Sequence, residues 1–355
     1  MVVEHRPSRA RCVRRRGVPA HYDDGMTVIP DVRTDRHPLT AEGSVELAVL
    51  DRNGFDESRH VGAGVVVAAD GSVLDVVGDA GASIYPRSTM KPFQALAIRR
   101  AGAAFSDEEL VLTTASHAGT AAHQALALHM LESFDHEESD LGCPPDLPFD
   151  RATARTMPGP RRLAMNCSGK HAGMLAACRV NGWDEATYLE MAHPLQQRVR
   201  ETVEEYTGET VDVVGTDGCG APVFPLTLRG LARGFAGVVA RGDADTAALV
   251  DAVLDHPWAI DGVGRANTVT IERLQVLAKF GAEGVMVMGL PGGAAVAVKT
   301  LDGSQRAGTV AALTLLERNG LVDAAGVADV LAATSEQVLG GGVPVGRVRP
   351  GAGLR

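Results

Sequence analysis

Apolar and polar positions follow two different periodicities along this chain, and these divide it into three parts. Short apolar runs rich in β-branched residues, which are typical of strands, occur at 45–50, 62–69 and 73–77, and again at 284–290, 294–300 and 343–348. Between them, from about 105 to 255, apolar positions recur mostly at helical spacing, and helices are predicted over 121–131, 173–180, 184–206, 226–239 and 244–254. A short strand at 211–214 and a late helix at 309–317 complete the prediction.

Neither set of strands can bury both of its faces alone, so strands from the two chain ends are predicted to form one sheet. The predicted fold class is therefore α/β (α+β), with an antiparallel sheet from both chain ends and a helical insertion. We assign residues 43–355 to a single domain, with its helical subregion at about 105–255. Residues 1–42 begin with a basic head that lacks periodicity, and they are predicted to be a disordered extension, with Met26 as an alternative start.

Composition excludes several classes of partner. The 355 residues carry a net charge of -10, which argues against nucleic acid as a ligand. No apolar run approaches the roughly 20 residues of a membrane span, so we expect no membrane association. The five cysteines are too few for a disulfide scaffold in a chain of this length, which favours a reducing cytoplasm.

The segment from Ser88 to Pro92 carries the first candidate chemistry. Pro92 is tolerated only in the first turn of a helix, so the helix is predicted to begin at about Ser88 or Thr89. Backbone N–H groups at that end favour a developing oxyanion near Ser88. Lys91 follows one turn later, which is the spacing of the nucleophile and base in Ser-Lys hydrolases. Alone, this tetrapeptide is more often a helix cap followed by a solvated lysine.

Lysine is rare in this chain, and that strengthens the interpretation. Among 34 Lys and Arg residues the only lysines are Lys91, Lys170, Lys279 and Lys299. A retained lysine suggests a task that Arg cannot perform, chiefly losing a proton. Making a lysine half neutral at pH 7 requires about 4.6 kcal/mol, which burial and a nearby cation can supply. We expect Lys91 and Lys299 to lie together in a dry cleft, and Lys279 belongs to no motif.

Two glycine-containing segments, 166–173 and 215–222, hold the candidate metal ligands. Cys167 and Cys219 lie in these loops, and Lys170 and His171 are within reach of Cys167. Zinc would require four ligands, and His is the usual partner of Cys, because Lys must first lose its proton. Two buried, inert cysteines are an equally acceptable interpretation of the spacing alone.

These motifs together resemble the L-asparaginase II family, the rhizobial thermolabile type. The resemblance rests on the segments 87–92, 115–119, 166–174 and 217–222 and on the glycine-rich turn that leads to Lys299, and it extends over about residues 43–350. It implies a fold similar to serine β-lactamases, penicillin-binding proteins and serine-dependent glutaminases. It also implies hydrolysis of L-asparagine to L-aspartate and ammonia, in a protein that forms a homodimer.

By position, the resemblance implies two catalytic pairs, Ser88 with Lys91 and Ser116 with Lys299. It implies Zn²⁺ bound by Cys167, Lys170 and Cys219, with water completing the site. Thr300-Leu301 after Lys299 departs from the Lys-Thr-Gly of β-lactamases. We expect Asp217 to bind the substrate ammonium, and the full set of residues expected around the substrate is Arg87, His117, Asn166, His171, Asp217 and Gly218.

Three alternatives remain open at this point. The same fold could hydrolyse glutamine or a β-lactam. The protein could be a zinc hydrolase in which Ser88 is only structural. It could also be a non-catalytic, zinc-bound module that binds an amino acid, although pure binding has no use for neutral lysines. Within the catalytic reading, Ser88 is expected to attack the amide carbon while Lys91 takes its proton, and the two serines could exchange roles.

Overall fold

The structure is a computed structural model that describes residues 36–355. Its strands are β1 (Val45–Arg52), β2 (Phe55–Val67), β3 (Val73–Val77), β4 (Ser83–Ile84), β5 (Gly215–Thr216), β6 (Pro222–Val223), β7 (Leu226–Thr227), β8 (Leu277–Gly281), β9 (Val285–Gly289), β10 (Ala295–Thr300), β11 (Val338–Gly340) and β12 (Val343–Pro350). Its helices are α1 (Lys91–Arg100), α2 (Asp107–Thr114), α3 (Ala121–Glu132), α4 (Arg151–Thr156), α5 (Ser168–Asn181), α6 (Pro194–Thr207), α7 (Leu228–Val239), α8 (Ala244–Asp255), α9 (Ala266–Leu274), α10 (Gly308–Arg318) and α11 (Ala324–Thr334).

One antiparallel sheet joins the two ends of the chain, as predicted. Its strand order is β11-β12-β1-β2-β10-β9-β8, and β3 pairs with β2 beside this path. The junction lies between β2 and β10, where Lys299 is opposite Ala63 and Val296 is opposite Val66. Consecutive residues of β2, Val65 to Val67, are fully buried, so both faces of the central strands are covered. Helices α7 and α10 pack against these strands.

The hydrophobic interior has two large clusters that meet at α1. The first contains the central strands with α7, α8 and α10, and it includes Phe93 and Leu96 of α1. The second lies among α2, α3 and α5 and includes Ile98, at the other end of α1. The beginning of α1, where Ser88 and Lys91 were predicted, therefore lies where the sheet meets the helical region.

Several predicted boundaries differ from the structure. Residues 211–214 form no strand. The helix predicted over 184–206 is a 3-10 turn at Glu185–Thr187 followed by α6, because Pro194 suits the first turn of a new helix, which His193 caps. Residues 36–42 belong to the folded region, since Leu39 is buried and Arg36 Nε donates to Asp212 at 2.7 Å. The rest of the predicted extension, including Met26, lies outside the described residues.

Strand β8 was absent from the prediction. It ends the sheet and pairs only with β9 among the residues that the structure describes. Its sequence, Leu-Ala-Lys-Phe-Gly, places a lysine in the middle of a short apolar run. A lysine at this position normally indicates a solvated surface, so the run does not read as a buried strand. Lys279 is nevertheless completely buried.

None of the helices within residues 36–355 is long and apolar enough to cross a lipid bilayer.

Gly281 sets how closely β8 approaches the turn that carries Ser88. A Cβ atom at Gly281 would lie 2.5 Å from the backbone oxygen of Pro86 and 3.1 Å from Cγ2 of Thr89. The first distance is shorter than any normal contact, and a backbone oxygen cannot move aside as a flexible side chain can. A glycine is therefore required for this strand to reach the Ser88 turn.

We expect Gly281→Ala to lower the free energy of unfolding by about 1–3 kcal/mol, because β8 or the Ser88 turn must shift. Urea unfolding of the full chain measures this. Gly159→Ala is the matched control, since a Cβ there meets nothing within 4 Å. Its effect should stay within about 0.5 kcal/mol. Equal effects of the two substitutions would contradict the close approach.

Candidate active site

The predicted Ser88 and Lys91 lie at the start of α1, as the position of Pro92 required. A 3-10 turn at Arg87–Met90 leads directly into the helix, and Pro92 is in its first turn. Arg87 has a φ of 53°, which is uncommon for a residue other than glycine and costs free energy at this position. Ser88 is 8% exposed. Within the described residues its hydroxyl forms no hydrogen bond, which leaves it available to a substrate.

Two lysine amines converge on the hydroxyl of Ser116. Lys91 Nζ donates to Ser116 Oγ at 3.0 Å and also to the backbone oxygen of Ala115. Lys279 Nζ lies 2.7 Å from the same Ser116 Oγ and 2.9 Å from the backbone oxygen of Phe280. Ser116, Lys91 and Lys279 are each no more than 1% exposed. This Ser116 cluster brings together the end of α2, the start of α1 and strand β8.

The predicted pairing of Ser116 with Lys299 is corrected by these contacts. Lys299 Nζ donates to the backbone oxygens of Glu283 and Thr300, at the other end of β10, and is partly exposed. The lysine beside Ser116 is Lys279. The expected contact between two buried amines was right in kind, but it involves Lys91 and Lys279.

The environment of Lys279 favours its neutral form. Complete burial, together with the positive charge of Lys91, holds the pKa of Lys279 well below its ordinary value, although Asp261 partly opposes the shift. A neutral amine has a free electron pair, so Lys279 can accept a proton. The predicted mechanism for neutralising a lysine therefore operates on the one lysine that no motif had identified.

One sequence signal could have identified Lys279. The triplet Lys279-Phe280-Gly281 resembles the Lys-Thr-Gly motif that accompanies Ser-x-x-Lys in β-lactamases and penicillin-binding proteins. It differs at the central residue, and the glycine-rich turn before Lys299 drew the assignment to β10. The triplet lies on β8, beside the Ser88 turn.

An ion pair joins two of the residues expected to bind the substrate. Arg87 Nε donates to Asp217 Oδ1 at 2.6 Å, and the backbone N–H of Gly218 donates to the same oxygen at 2.8 Å. Both side chains are partly buried. The pair links the residue before Ser88 to the loop between β5 and β6. Each partner neutralises the other, so both charges are present for a zwitterionic ligand.

His117 and Asn166, also expected near the substrate, make contacts inside the protein. The backbone N–H of Gly119 donates to His117 Nδ1 at 3.1 Å, so Nε2 carries the proton and donates to Ser168 Oγ at 2.9 Å. Burial, with smaller contributions from His123 and Lys91, lowers the pKa of His117 well below its ordinary value. The backbone oxygen of Asn166 accepts from His117 N–H at 3.2 Å. His117 thus supports the loop that carries Ser116.

The predicted metal ligands lie next to the Ser116 cluster. Lys170 Nζ donates to Cys219 Sγ at 3.0 Å. A hydrogen bond from Cys167 is the main reason that the pKa of Cys219 is lowered, and Lys170 adds to the effect. Burial opposes the charged form of Lys170, but Cys219 and Cys167 overcome it and raise the pKa of Lys170. The two thiols and the amine therefore form one compact, charge-compensated group.

His171 lies beside the same group. Its Nδ1 is 2.7 Å from the hydroxyl of Tyr188, and its buried Nε2 has no hydrogen-bond partner among the described residues. Burial and the nearby Lys170 lower the pKa of His171 to about 4, so the ring is neutral at pH 7. Within residues 36–355 no three His, Cys, Asp or Glu side chains group as metal ligands. Two thiols, one amine and this unpartnered ring nitrogen are nonetheless soft donors that fit zinc.

The pH dependence of stability tests the neutral state of Lys279. In the unfolded chain Lys279 is protonated below its reference pKa of about 10.4, so unfolding takes up a proton. Stability that arises from this group therefore increases as pH rises towards that value. For Lys279→Met we expect the free energy of unfolding to rise less steeply between about pH 7 and pH 10, by up to about 1.4 kcal/mol per pH unit. Urea unfolding at several pH values measures the slope, and parallel curves for the two proteins would contradict the expectation.

Comparison with solved structures finds distant likenesses. Mglu in its glutamate form is 14% identical, with 74% of this chain and 62% of that chain covered and a TM-score of 0.43. Mglu in its native form is 15% identical, with 74% and 65% covered and a TM-score of 0.39. A β-lactamase from Mycobacterium bovis is 20% identical, with 76% and 94% covered and a TM-score of 0.40. The chain thus spans less than two thirds of the Mglu structures, and at these low TM-scores the likenesses carry no conclusion about its function.

Comparison with protein families gives a match over most of the chain, whereas comparison with curated proteins finds no relative. The model of L-asparaginase II matches residues 48–350. That range includes both serines, all four lysines and the thiol group described above. The chain belongs to the L-asparaginase II family.

Proposed function

We propose that this protein is an amidohydrolase that cleaves L-asparagine to L-aspartate and ammonia. The observation that carries the proposal is the Ser116 cluster, in which Lys91 and Lys279 both reach one buried hydroxyl. A structural role does not require two buried amines around one serine, since burying them costs several kcal/mol per ion. Membership of the family supports the hydrolase class.

Ser88 is the proposed nucleophile. Its hydroxyl is partly exposed and unbonded within the described residues, whereas Ser116 is completely buried and held by two amines. A nucleophile must reach the amide carbon, which Ser116 cannot do without displacing its partners. This assigns attack to Ser88 and proton transfer to Ser116.

The proton from Ser88 would pass through the Ser116 cluster. Lys91, one helical turn after Ser88, is the first acceptor, and Ser116 and Lys279 follow along the hydrogen bonds. Neutral Lys279 provides the final basic site. After Ser88 attacks the amide carbon, the same chain returns the proton to the departing nitrogen, which leaves as ammonia. Water then cleaves the acyl-enzyme with Lys91 as its base.

The oxyanion of the tetrahedral intermediate requires backbone donors. The N–H group of Ser88, at the start of α1, is one proposed donor, because helix starts favour negative charge. The second comes from the unpaired side of β8, the strand that Gly281 brings against the Ser88 turn. This replaces β10, where the sequence analysis expected the second donor.

The charged head of the amino acid would use the pair between Arg87 and Asp217. The substrate ammonium replaces Arg87 at the Asp217 carboxylate, and the substrate carboxylate binds Arg87. Asn166, His171 and Gly218 remain proposed contacts around this head. A neutral His171 can accept or donate one hydrogen bond without adding charge.

Zinc is part of the proposal as a bound cofactor. Cys167, Lys170 and Cys219 would hold it, with the unpartnered Nε2 of His171 as a further available donor. When bound, zinc would fix the loop around Asp217, because a thiolate-rich set of ligands reduces its strength as a Lewis acid. We also propose a homodimer that acts in the reducing cytoplasm, which agrees with four free, buried cysteines among the described residues.

Ammonia release from L-asparagine tests the catalytic assignment. We expect Ser88→Ala and Lys279→Met to lower kcat by about 10²–10⁴-fold, because each removes a group that handles the reacting proton or bond. Lys299→Met is the matched control and should retain normal activity, since its amine contacts only backbone oxygens of its own sheet end. A large loss in Lys299→Met together with normal activity in Lys279→Met would contradict the corrected pairing.

Substrate choice separates the remaining alternatives in the same assay. Turnover of glutamine or nitrocefin in preference to asparagine would identify another hydrolase of this class. Normal activity in Ser88→Ala would favour a zinc hydrolase. Asparagine binding without ammonia release would indicate a binding module.

Metal content tests the cofactor. Protein purified with zinc should contain about one zinc ion per chain, and Cys219→Ser should lose it, because a structural zinc site uses all of its ligands. Cys178→Ser is the matched control, since Cys178 is a fully buried thiol of α5 outside this group. Elemental analysis provides the readout, with activity measured in parallel. Equal zinc content in the two variants would exclude Cys219 as a ligand.

A further inference from the structure

A small cavity adjoins the Ser116 cluster on the other side of Phe280. Its volume is about 180 Å³, and it is lined by residues before and at the start of α9, by β8 and β9, and by the start of α10. This is smaller than the roughly 300–1,000 Å³ of ordinary ligand pockets, and it corresponds to the space of about six water molecules. Only a small molecule fits such a space.

Asn267 lines this cavity and has an unsatisfied side chain. It is 1% exposed, and neither its amide nitrogen nor its amide oxygen has a hydrogen-bond partner among the described residues. Its backbone N–H donates to Asp261 Oδ2 at 3.3 Å, which fixes where the residue starts. A buried amide with both atoms unpaired is unfavourable, and folded proteins rarely keep one without a function.

The charges around the cavity cancel. Arg265 Nε donates to Asp261 Oδ1 at 2.5 Å, so these two lining residues neutralise each other. The amide nitrogen of Gln305, a third polar residue of the lining, is used by the backbone oxygen of Gly281. Phe280, Met286 and Ala266 supply apolar walls. A neutral ligand with a small apolar part therefore suits the cavity better than an ion.

We infer that this cavity binds a small molecule through a primary carboxamide that pairs with the side chain of Asn267. The Asn267 nitrogen requires an acceptor and its oxygen requires a donor, and a primary carboxamide offers both in one plane. A carboxylate offers acceptors only and carries a charge that the cavity does not balance. Met286 is flexible enough to adjust to such a ligand. The site is separate from the Ser116 cluster and does not depend on the proposed function.

The position of Phe280 connects the two places. Its ring centroid lies 4.7 Å from Lys279 Nζ, and its backbone oxygen accepts from that amine. A ligand in the cavity contacts the same residue from the other side, because Phe280 belongs to the lining. Binding there would limit the movement of Phe280 and hence of Lys279.

Ligand-observed NMR on the full chain tests the inference, with acetamide as the probe. We expect saturable binding to the wild type and at least about tenfold weaker binding to Asn267→Leu, which keeps the size of the side chain and removes both polar atoms. Asn267→Leu should fold, with an unchanged or higher Tm, because it removes an unpaired polar group. Asn267→Asp, a second variant, should also lose binding, since it lacks the donor.

Two comparisons separate this cavity from the catalytic cluster. Ser116→Ala should keep acetamide binding, whereas N,N-dimethylacetamide, which has no donor, should bind the wild type about tenfold more weakly than acetamide. Binding that survives in Asn267→Leu but disappears in Ser116→Ala would overturn the inference, as would no saturable binding to the wild type. A crystal soaked in acetamide that shows only ordered water at Asn267 would overturn it too.

Discussion

The contact of two lysine amines with one serine hydroxyl, in a place that water does not reach, is the constraint on which this structure depends. Lys91 and Lys279 are both within hydrogen-bond distance of Ser116 Oγ. Two ammonium groups so close together would repel each other, and moving each from water costs several kcal/mol. Lys279 escapes this cost by losing its proton, which turns an unfavourable arrangement into a base. The surrounding cores must exclude water for this to hold, because water would restore the ordinary pKa.

Three distant parts of the chain have to meet for this contact to form, and packing between the two hydrophobic clusters brings them together. The start of α1 carries Lys91, the segment after α2 carries Ser116, and β8 carries Lys279. Hydrogen bonds hold the Ser116 segment: its N–H donates to the Ile260 oxygen at 3.0 Å, and the N–H of Ala118 donates to the Asp261 oxygen at 2.6 Å. Backbone contacts of this kind fix a side chain more firmly than a mobile loop could.

The sequence revealed the local parts of this arrangement and not the long-range ones. Pro92 located the start of α1, and hence Ser88 and Lys91, because its effect on the helix is local. The sheet formed from both chain ends also followed from the pattern, since short apolar strands need partners. Lys279 was missed because a charged residue type in a short apolar run indicates surface, and because no spacing rule shows that β8 rather than β10 faces Ser116. Strand order at a sheet edge depends on tertiary packing, which the pattern of one strand does not contain.

Burial alone does not decide the state of a lysine in this protein, and the comparison of two of them shows what does. Lys170 and Lys279 are 1% and 0% exposed, yet the pKa of Lys170 is raised and that of Lys279 is lowered. Burial favours the neutral form of both. The difference comes from the neighbours: Cys219 and Cys167 attract a proton on Lys170, whereas Lys91 repels one on Lys279. A cation bound by the two thiols would reverse the sign of the field at Lys170, so metal binding there must release the proton that the thiols now retain.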